Sequence, residues 1–320
     1  MKEIGGYFEL ALEKGICNYH PTPHLLKSGR SALHYLLTIV KPRLVYIPFY
    51  TCNSLLAPFR DTGIEYVFYS VNENLDPATS IELNAGEYFL YINYLGLKTA
   101  TAERLSEKYK DKLIADCTQA FFAKGNDKSW FFNSCRKFFG VPDGSFLYTP
   151  SGIQIPVIDT RNEKYIADHL LKRFNGHVNE GYALFQENEL LMDTEITGMS
   201  KLSRYLLSNI DYDAVIKKRQ VNYDFLHERL NGLNKFNAIR KDNNVPMCYP
   251  LLLDRETDKR QLYAENIFVP SFWTDVLNRG IDGFEFEKGL AHKLLPLPVD
   301  QRYSIADMEK IVQSLMTIIP

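Results

Sequence analysis

The chain has 320 residues, of which 45% are hydrophobic and 24% are charged, the composition of an ordinary globular protein. Its formal net charge is −2, with acidic and basic residues mixed along the chain. This argues against a nucleic-acid-binding protein, which would present a basic face. No apolar run approaches the ~18 residues of a membrane span, and the first residues do not form a signal peptide, so we expect no membrane partner.

The cysteines and histidines lack the spacing of a metal site or a disulfide framework. The five cysteines are odd in number and scattered, which fits reduced thiols in the cytoplasm. The seven histidines show no repeated three- or four-residue spacing. We therefore predict a cytoplasmic protein without a metal ion.

Between residue 28 and about residue 150, short apolar runs alternate with segments of helical spacing. Several of the runs are continuous, as expected for strands that are covered on both faces. The predicted strands are 43–49, 65–71, 87–94, 112–117, 129–133 and 144–149, and the predicted helices are 31–40, 51–63 and 101–112. This alternation predicts an α/β fold with a mostly parallel central sheet flanked by helices.

After about residue 160 the pattern becomes mainly helical. Apolar residues recur three and four apart in 163–174, 180–192, 199–210 and 213–230. The remaining predicted elements are strands at 249–253 and 267–270, a loop around one short strand at 233–246, and a helix at 304–316 capped by Ser304. We therefore predict a large α/β domain at 1–205 and a smaller α+β domain at 206–320.

In a parallel α/β sheet, ligands collect at the carboxyl ends of the strands. Gly29 and Ser31 lie at a predicted helix start, where free N–H groups and the helix dipole favour an anion. The alternative is that Ser28 only caps the helix. Asp116 ends an apolar strand, and Gln119 follows three residues later. The alternative there is a capping carboxylate that accepts N–H groups.

A lysine occupies the glycine-punctuated segment NSCRKFFGVPDGSFLY, residues 133–148. Ser134 and Lys137 have S-x-x-K spacing, so a turn would place the hydroxyl and the amine on one side. The phenylalanines at 131, 132, 138 and 139 make this a costly place for an ammonium group, unless it is neutralised or used covalently. The alternative is a solvated lysine. At a fourth junction, residues 47–55, Tyr50, Thr51 and Cys52 either line the crevice or pack in the core.

An anion site, a carboxylate and a lysine, each at a strand end, are the three contacts that pyridoxal 5'-phosphate (PLP) needs. The phosphate takes the helix N-terminus, and the carboxylate keeps the pyridine nitrogen protonated. The lysine forms a Schiff base with the aldehyde. We therefore predict PLP as the cofactor.

The sequence resembles the DegT/DnrJ/StrS family of PLP-dependent sugar aminotransferases, which have the fold type I architecture. SGRSAL (28–33) is similar to the family's S-G-T-A-A-L segment, and ADCTQA (115–120) to its E-D-A-A-Q segment. Lys137 followed by Asp143-Gly144-Ser145 is similar to its lysine motif. The C-terminal LLPLPVDQRYSIADMEKIV also looks like the family's closing segment.

The resemblance implies a role for each matched residue. Lys137 would be the Schiff-base lysine and proton shuttle, and Asp116 would pair with the pyridinium nitrogen. Gln119 would lie near the ring or its 3-oxygen. The phosphate would be bound by Gly29, Arg30 and Ser31, with Ser134 as a further donor. The resemblance also implies a homodimer with the active site at the subunit interface.

The chain departs from the family pattern at four places. Cys52 stands where many relatives stack an aromatic residue on the cofactor, and Arg30 replaces a phosphate-loop threonine. Phe132 replaces a serine, and residues 196–202 lack the asparagine that reaches the partner subunit. The leading hypothesis is an aminotransferase that passes an amino group from an amino acid such as glutamate to a nucleotide-linked keto sugar. The alternatives are a degenerate ligand- or protein-binding relative without turnover, and another PLP reaction such as acyl transfer or elimination.

Overall fold

A seven-stranded sheet carries the first half of the chain in the computed structural model, which describes residues 4–237, 239–241 and 244–319. The sheet order is β1-β7-β6-β5-β4-β2-β3. The five strands from β6 to β3 run parallel, whereas β7 is antiparallel to both β6 and β1. The strands are β1 (His24–Leu26), β2 (Leu44–Pro48), β3 (Glu65–Tyr69), β4 (Glu87–Ile92), β5 (Leu113–Cys117), β6 (Trp130–Asn133) and β7 (Ser145–Tyr148). The predicted α/β fold with a mostly parallel sheet is confirmed.

Ten α-helices are found in the described residues. They are α1 (Gly29–Val40), α2 (Asn53–Thr62), α3 (Thr99–Tyr109), α4 (Asp168–Phe174), α5 (Val178–Leu191), α6 (Lys201–Ser208), α7 (Tyr212–Leu230), α8 (Arg260–Ala264), α9 (Glu285–Lys293) and α10 (Ile305–Ile318). The predicted cap of the last helix is confirmed, because Ser304 and Asp307 form a reciprocal capping box. None of the helices in the described part is long and apolar enough to cross a membrane.

The core explains why the central strands read as continuous apolar runs. Every residue of β4 and β5 is buried, Glu87 and Asp116 included. A second aromatic cluster lies behind the lysine segment and contains Phe121, Phe138, Phe139, Phe146 and Tyr212. This cluster anchors the backbone on both sides of Lys137's turn and so positions the cavity described below.

The C-terminal part contains an antiparallel pair, β8 (Cys248–Leu252) and β9 (Leu294–Pro298). The predicted strand at 267–270 is wrong. Ile267 and Val269 are buried while Phe268 is exposed, which imitates strand alternation. The segment instead closes α8, since Ile267 N donates to Leu262 O.

Two further predictions concern this part of the chain. The described residues of 233–246 form a loop without a strand, and residues 238, 242 and 243 lie outside the described residues. The predicted domain boundary at 205/206 falls within α6 and stays a prediction.

Candidate active site

A cavity of about 220 Å³ lies where the carboxyl ends of β5 and β6 meet the N-terminus of α1. Its wall contains five of the seven predicted site residues: Gly29, Arg30, Asp116, Ser134 and Lys137. They come from three separate stretches of sequence, and the parallel sheet places those stretches at one edge. Ser31 and Gln119 are not part of this wall.

The N-terminus of α1 approaches the sheet closely because its first residue is Gly29. A Cβ atom at this position would lie 2.9 Å from Thr118 Cγ2 and 3.4 Å from Asn133 O. The first turn of α1 contains no acidic side chain, so the positive end of the helix dipole faces the cavity without a counter-charge from the helix itself.

Ser28 caps this helix and lies in the cavity wall, whereas Ser31 does not. Ser28 Oγ accepts the Ser31 N–H at 3.1 Å, as in an ordinary N-cap. The Ser31 hydroxyl is fully buried and donates to Glu195 O at 2.5 Å. Ser28 therefore caps the helix, as the alternative interpretation of the sequence predicted. The hydroxyl of Ser31 is held outside the cavity wall by its hydrogen bond to Glu195 O.

Asp116 is buried near the end of β5 and forms part of the cavity wall. Its Oδ1 accepts the N–H of Thr118 at 2.8 Å, an Asx-type turn, so the carboxylate also fixes the local backbone. Burial raises the pKa of Asp116, while the nearby Lys137 and the hydrogen bond from Thr118 act in the opposite direction.

Lys137 is exposed towards the cavity, and its Nζ donates to Thr118 Oγ1 at 3.1 Å. The expectation that four phenylalanines surround the amine needs correction. Phe131, Phe138 and Phe139 pack in the core clusters, and only Phe132 of the four lies in the cavity wall. The turn directs the aromatic rings inwards and the ammonium outwards, so the desolvation cost expected from the sequence does not arise.

Thr118 is a site residue that the sequence motifs did not single out. Its hydroxyl accepts from Lys137, its N–H donates to Asp116, and its methyl group packs against Gly29. It therefore contacts all three predicted parts of the site. The available signal was the D-x-T spacing of 116–118, which is typical of an Asx turn.

Gln119 and Tyr50 have buried partners elsewhere in the fold. Gln119 Oε1 accepts the N–H of Leu95 at 3.0 Å. Tyr50 is buried against the rings of Tyr94 and Trp273. At the 47–55 junction the cavity wall contains Cys52, which is the N-cap residue of α2, together with Ser54 and Leu55.

The far wall comes from α5 and the residue that follows it. Phe185, Glu189 and Met192 lie there, and Arg136 lies beside them. Glu189 pairs with Arg136 at 2.6 Å and with Arg30 at 3.5 Å. Sequence reasoning missed this wall, since no spacing rule connects α5 with a lysine motif about 50 residues earlier.

The cavity thus combines a primary amine, a buried carboxylate and a cationic helix start. An amine reacts with an aldehyde or ketone, a carboxylate pairs with a protonated nitrogen, and a helix N-terminus binds phosphate. This donor set fits a ligand that carries a carbonyl group, a basic ring nitrogen and a phosphate, which are the groups of PLP.

No protein-family model matches the chain, and no curated protein matches it in sequence. Solved structures do match. A DegT DnrJ EryC1 StrS aminotransferase from Brucella abortus is 17% identical, with a TM-score of 0.62 over 92% of this chain and 85% of that one. DesV of S. venezuelae, solved with a ketimine intermediate, is 14% identical, with a TM-score of 0.63 over 93% and 85%.

A third match is a Streptococcus pneumoniae protein described as a candidate sugar aminotransferase and solved in its PLP form. It is 13% identical, with a TM-score of 0.65 over 94% of this chain and 88% of that one. Identities this low establish the fold alone. The resemblance predicted from the sequence is confirmed at that level: the chain has the fold type I architecture of the DegT/DnrJ/EryC1/StrS aminotransferases.

Proposed function

We propose that the protein is a PLP-dependent aminotransferase. It would take an amino group from an amino acid, with glutamate as the first donor to test, and pass it to a nucleotide-linked keto sugar. The observation that carries this proposal is the convergence of the α1 N-terminus, Asp116 and Lys137 on one cavity. The sugar aminotransferases among the structural matches support the substrate class.

Each residue has a separate task in this proposal. The N–H groups at the start of α1, with Arg30 and Ser134, would bind the cofactor's phosphate, and Lys137 would hold its carbonyl carbon. The cofactor supplies an electron sink when its ring nitrogen is protonated. Asp116 keeps that nitrogen protonated by remaining ionised, which Lys137 and the Thr118 N–H favour against the effect of burial.

Lys137 also moves a proton in this proposal. Its Nζ donates to Thr118 Oγ1, which holds the amine on the cavity side of the turn. An amine released from the cofactor is free to take the proton from the substrate carbon and to return it elsewhere. Thr118 would keep the released amine within reach.

We extend the proposal to the setting of the enzyme. The partners would be small molecules, an amino donor and a keto sugar, and the assembly would be the homodimer that the resemblance implies. The cytoplasm remains the proposed location, and the five cysteines, all unpaired in the structure, are consistent with it.

The test is a visible absorbance spectrum of the purified protein with added PLP, before and after glutamate. We expect a band that depends on Lys137 and shifts to the amine form of the cofactor with glutamate. The Lys137→Ala variant should lack this band and its turnover should fall about 10³-fold. Full turnover in Lys137→Ala would refute the proposal.

A second candidate is a relative that binds a ligand without turnover. It is favoured by Cys52, which occupies the position of the aromatic stacking residue in the cavity wall. This candidate predicts that a cofactor band forms and that no amino donor changes it.

A further inference from the structure

Two arginines in the cavity wall share one carboxylate. Arg136 Nη2 lies 2.6 Å from Glu189 Oε1, and Arg30 Nη2 lies 3.5 Å from Glu189 Oε2. The arginine side chains are 14% and 19% exposed, so both guanidinium groups are largely desolvated. We call these two arginines the Arg30–Arg136 clamp. Because they share a single carboxylate, Glu189 compensates only one of their two positive charges.

We propose that the Arg30–Arg136 clamp is an anion subsite that Glu189 fills in the empty protein, and that a phosphate monoester dianion displaces Glu189 from it. Without Glu189 the clamp carries two positive charges, and a phosphate monoester carries close to two negative charges at pH 7. A guanidinium group also matches two phosphate oxygens with parallel N–H donors.

The clamp stays in place when Glu189 leaves it. Arg30 donates to Met192 O at 2.7 Å and to Ser54 Oγ at 2.9 Å, neither of which depends on Glu189. The Arg136 guanidinium lies over the ring of Phe185, 5.9 Å from its centroid. Both arginines are therefore held for an incoming anion.

Glu189, in contrast, is easily released. Its side chain is 35% exposed, so a change of rotamer moves its carboxylate to solvent without unfolding α5. Because the carboxylate side of the pair is partly exposed, solvent screens the interaction and lowers the cost of breaking it. Glu189 therefore acts as an internal competitor that compensates one of the two positive charges of the clamp until a ligand arrives.

The other charged and titratable groups near the clamp act in both directions on an incoming anion. The N-terminus of α1, which precedes Arg30 by one residue, faces the cavity. His169 lies beside Phe185, and burial followed by the Arg136 charge lowers the pKa of His169, so that it stays neutral at pH 7. Asp193 pairs with Lys27 at 2.5 Å, but Lys27 also pairs with Glu195 at 2.9 Å, so one negative charge of this group is not compensated and acts against an anion on the Arg30 side of the clamp.

The inference rests on the proposed function only in naming PLP as the phosphate ligand, and the experiment separates the two. Isothermal titration calorimetry measures the Kd of inorganic phosphate, PLP and pyridoxal, which lacks the phosphate. Glu189→Gln should bind inorganic phosphate and PLP about fivefold more tightly, because an ionic competitor is lost. Its affinity for pyridoxal should not change.

Glu187→Gln is the matched control, since Glu187 lies on the exposed side of the same helix and should bind all three ligands like the wild type. In an Arg136→Gln background, the gain from Glu189→Gln should fall below about twofold. Unchanged or weaker phosphate binding by Glu189→Gln would overturn the inference. So would an equal gain for pyridoxal.

Two further arms identify the source of the phosphate and keep the proposals apart. If saturating PLP abolishes the binding of inorganic phosphate, the cofactor's own phosphate fills the clamp; if binding persists, the phosphate of another ligand does. Tighter phosphate binding by Glu189→Gln without any lysine-dependent PLP binding would support the clamp and contradict the proposed function.

Discussion

Two buried aspartates, one before Lys137 in the sequence and one after it, have opposite surroundings. Asp143 accepts hydrogen bonds from Ser200 N at 3.0 Å, Ser200 Oγ at 2.8 Å and Asn162 Nδ2 at 2.8 Å, and a short one from the Ser203 hydroxyl. Asp116 accepts one backbone N–H, from Thr118, and faces the cavity beside Lys137. One carboxylate is saturated by its own chain, and the other keeps capacity for a ligand.

The difference assigns the two residues to different tasks. Asp143 ties the loop after Lys137 to the start of α6, where Ser200 is also the N-cap. Asp143 stabilises the turn without forming part of the cavity wall. Asp116 lies in the cavity wall, where burial raises its pKa and so destabilises the ionised carboxylate. Such a cost is typical of a group kept for ligand binding rather than for stability. Residues 196–202, which lack the expected partner asparagine, thus serve this chain's own loop.

The largest effect is expected from Asp143→Ala. The substitution leaves the Ser200, Ser203 and Asn162 donors without their buried acceptor, so the free energy of unfolding should fall by about 3 kcal/mol. Urea unfolding measures this. Asp127→Ala, at an exposed position, is the control and should change it by less than about 0.5 kcal/mol. A loss below about 1 kcal/mol for Asp143→Ala would mean that Asp143 is not structural.

Asp116→Asn should separate binding from stability. Because burial raises the pKa of Asp116, the folded chain carries a cost that grows as pH rises from the ordinary aspartate value through the raised one. At neutral pH the neutral amide removes this cost, so the melting temperature of the cofactor-free protein should rise by about 2 °C.

The same substitution should lower turnover about 100-fold, since the ring nitrogen loses its anionic partner. Differential scanning fluorimetry and a steady-state assay measure the two effects. If the melting temperature of Asp116→Asn instead fell by several degrees, Asp116 would be needed for stability, as we expect of Asp143.

The contact between Gly29 and Thr118 can be tested by clash and rescue. Gly29→Ala places a methyl group 2.9 Å from Thr118 Cγ2 and should destabilise the protein by about 2 kcal/mol. Adding Thr118→Ser removes that methyl group and keeps the hydroxyl for Lys137, so most of the loss should be recovered. Gly289→Ala in α9 has open space around it and is the control. Urea unfolding measures the free energy of unfolding of each variant. If the double variant recovers none of the loss, the contact with Thr118 is not the reason that position 29 requires glycine.

A smaller effect is expected from His20, which lies behind the sheet edge. Its Nδ1 is 2.8 Å from Tyr148 Oη and its Nε2 accepts from Asn133 Nδ2 at 3.1 Å, and burial lowers the pKa of His20 to about 3. The unfolded chain therefore binds the extra proton between pH 6.5 and 3, and stability falls as pH decreases through that window.

Between pH 6.5 and 5.5 the loss from His20 should approach 1 kcal/mol. His20→Gln keeps the polar contacts and should flatten the pH dependence of urea unfolding in this range. A slope that does not differ between wild type and variant would assign the acid sensitivity to other groups.

The sequence predicted the sheet well because its central strands are unusually apolar. β4 and β5 are buried along their whole length, and the continuous apolar runs at 87–94 and 112–117 are the pattern of strands covered on both faces. β1 has only three residues, too few for a periodic signal. β9 was not predicted as a strand, since LLPLP contains two prolines, yet Pro296 pairs opposite Pro250 of β8, so that neither strand loses an N–H needed by the other.

The candidate site was predictable where its residues follow a local rule. A helix start, a strand end and a turn each gave a residue in the cavity wall: Gly29, Asp116 and Lys137. Glu189 and Phe185 were missed since tertiary packing of α5, not spacing, brings them there. Ser31 was predicted for the phosphate from its position alone, but the hydroxyl's direction depends on Glu195, 164 residues later.

The central claim is that Lys137 reacts with the carbonyl carbon of PLP. The most direct measurement is borohydride reduction of the protein with PLP, followed by peptide mapping by mass spectrometry. We predict a phosphopyridoxyl group on Lys137, carried by a single peptide, and no stable label in Lys137→Ala. Label on a different lysine, or an equal yield in Lys137→Ala, would contradict the account.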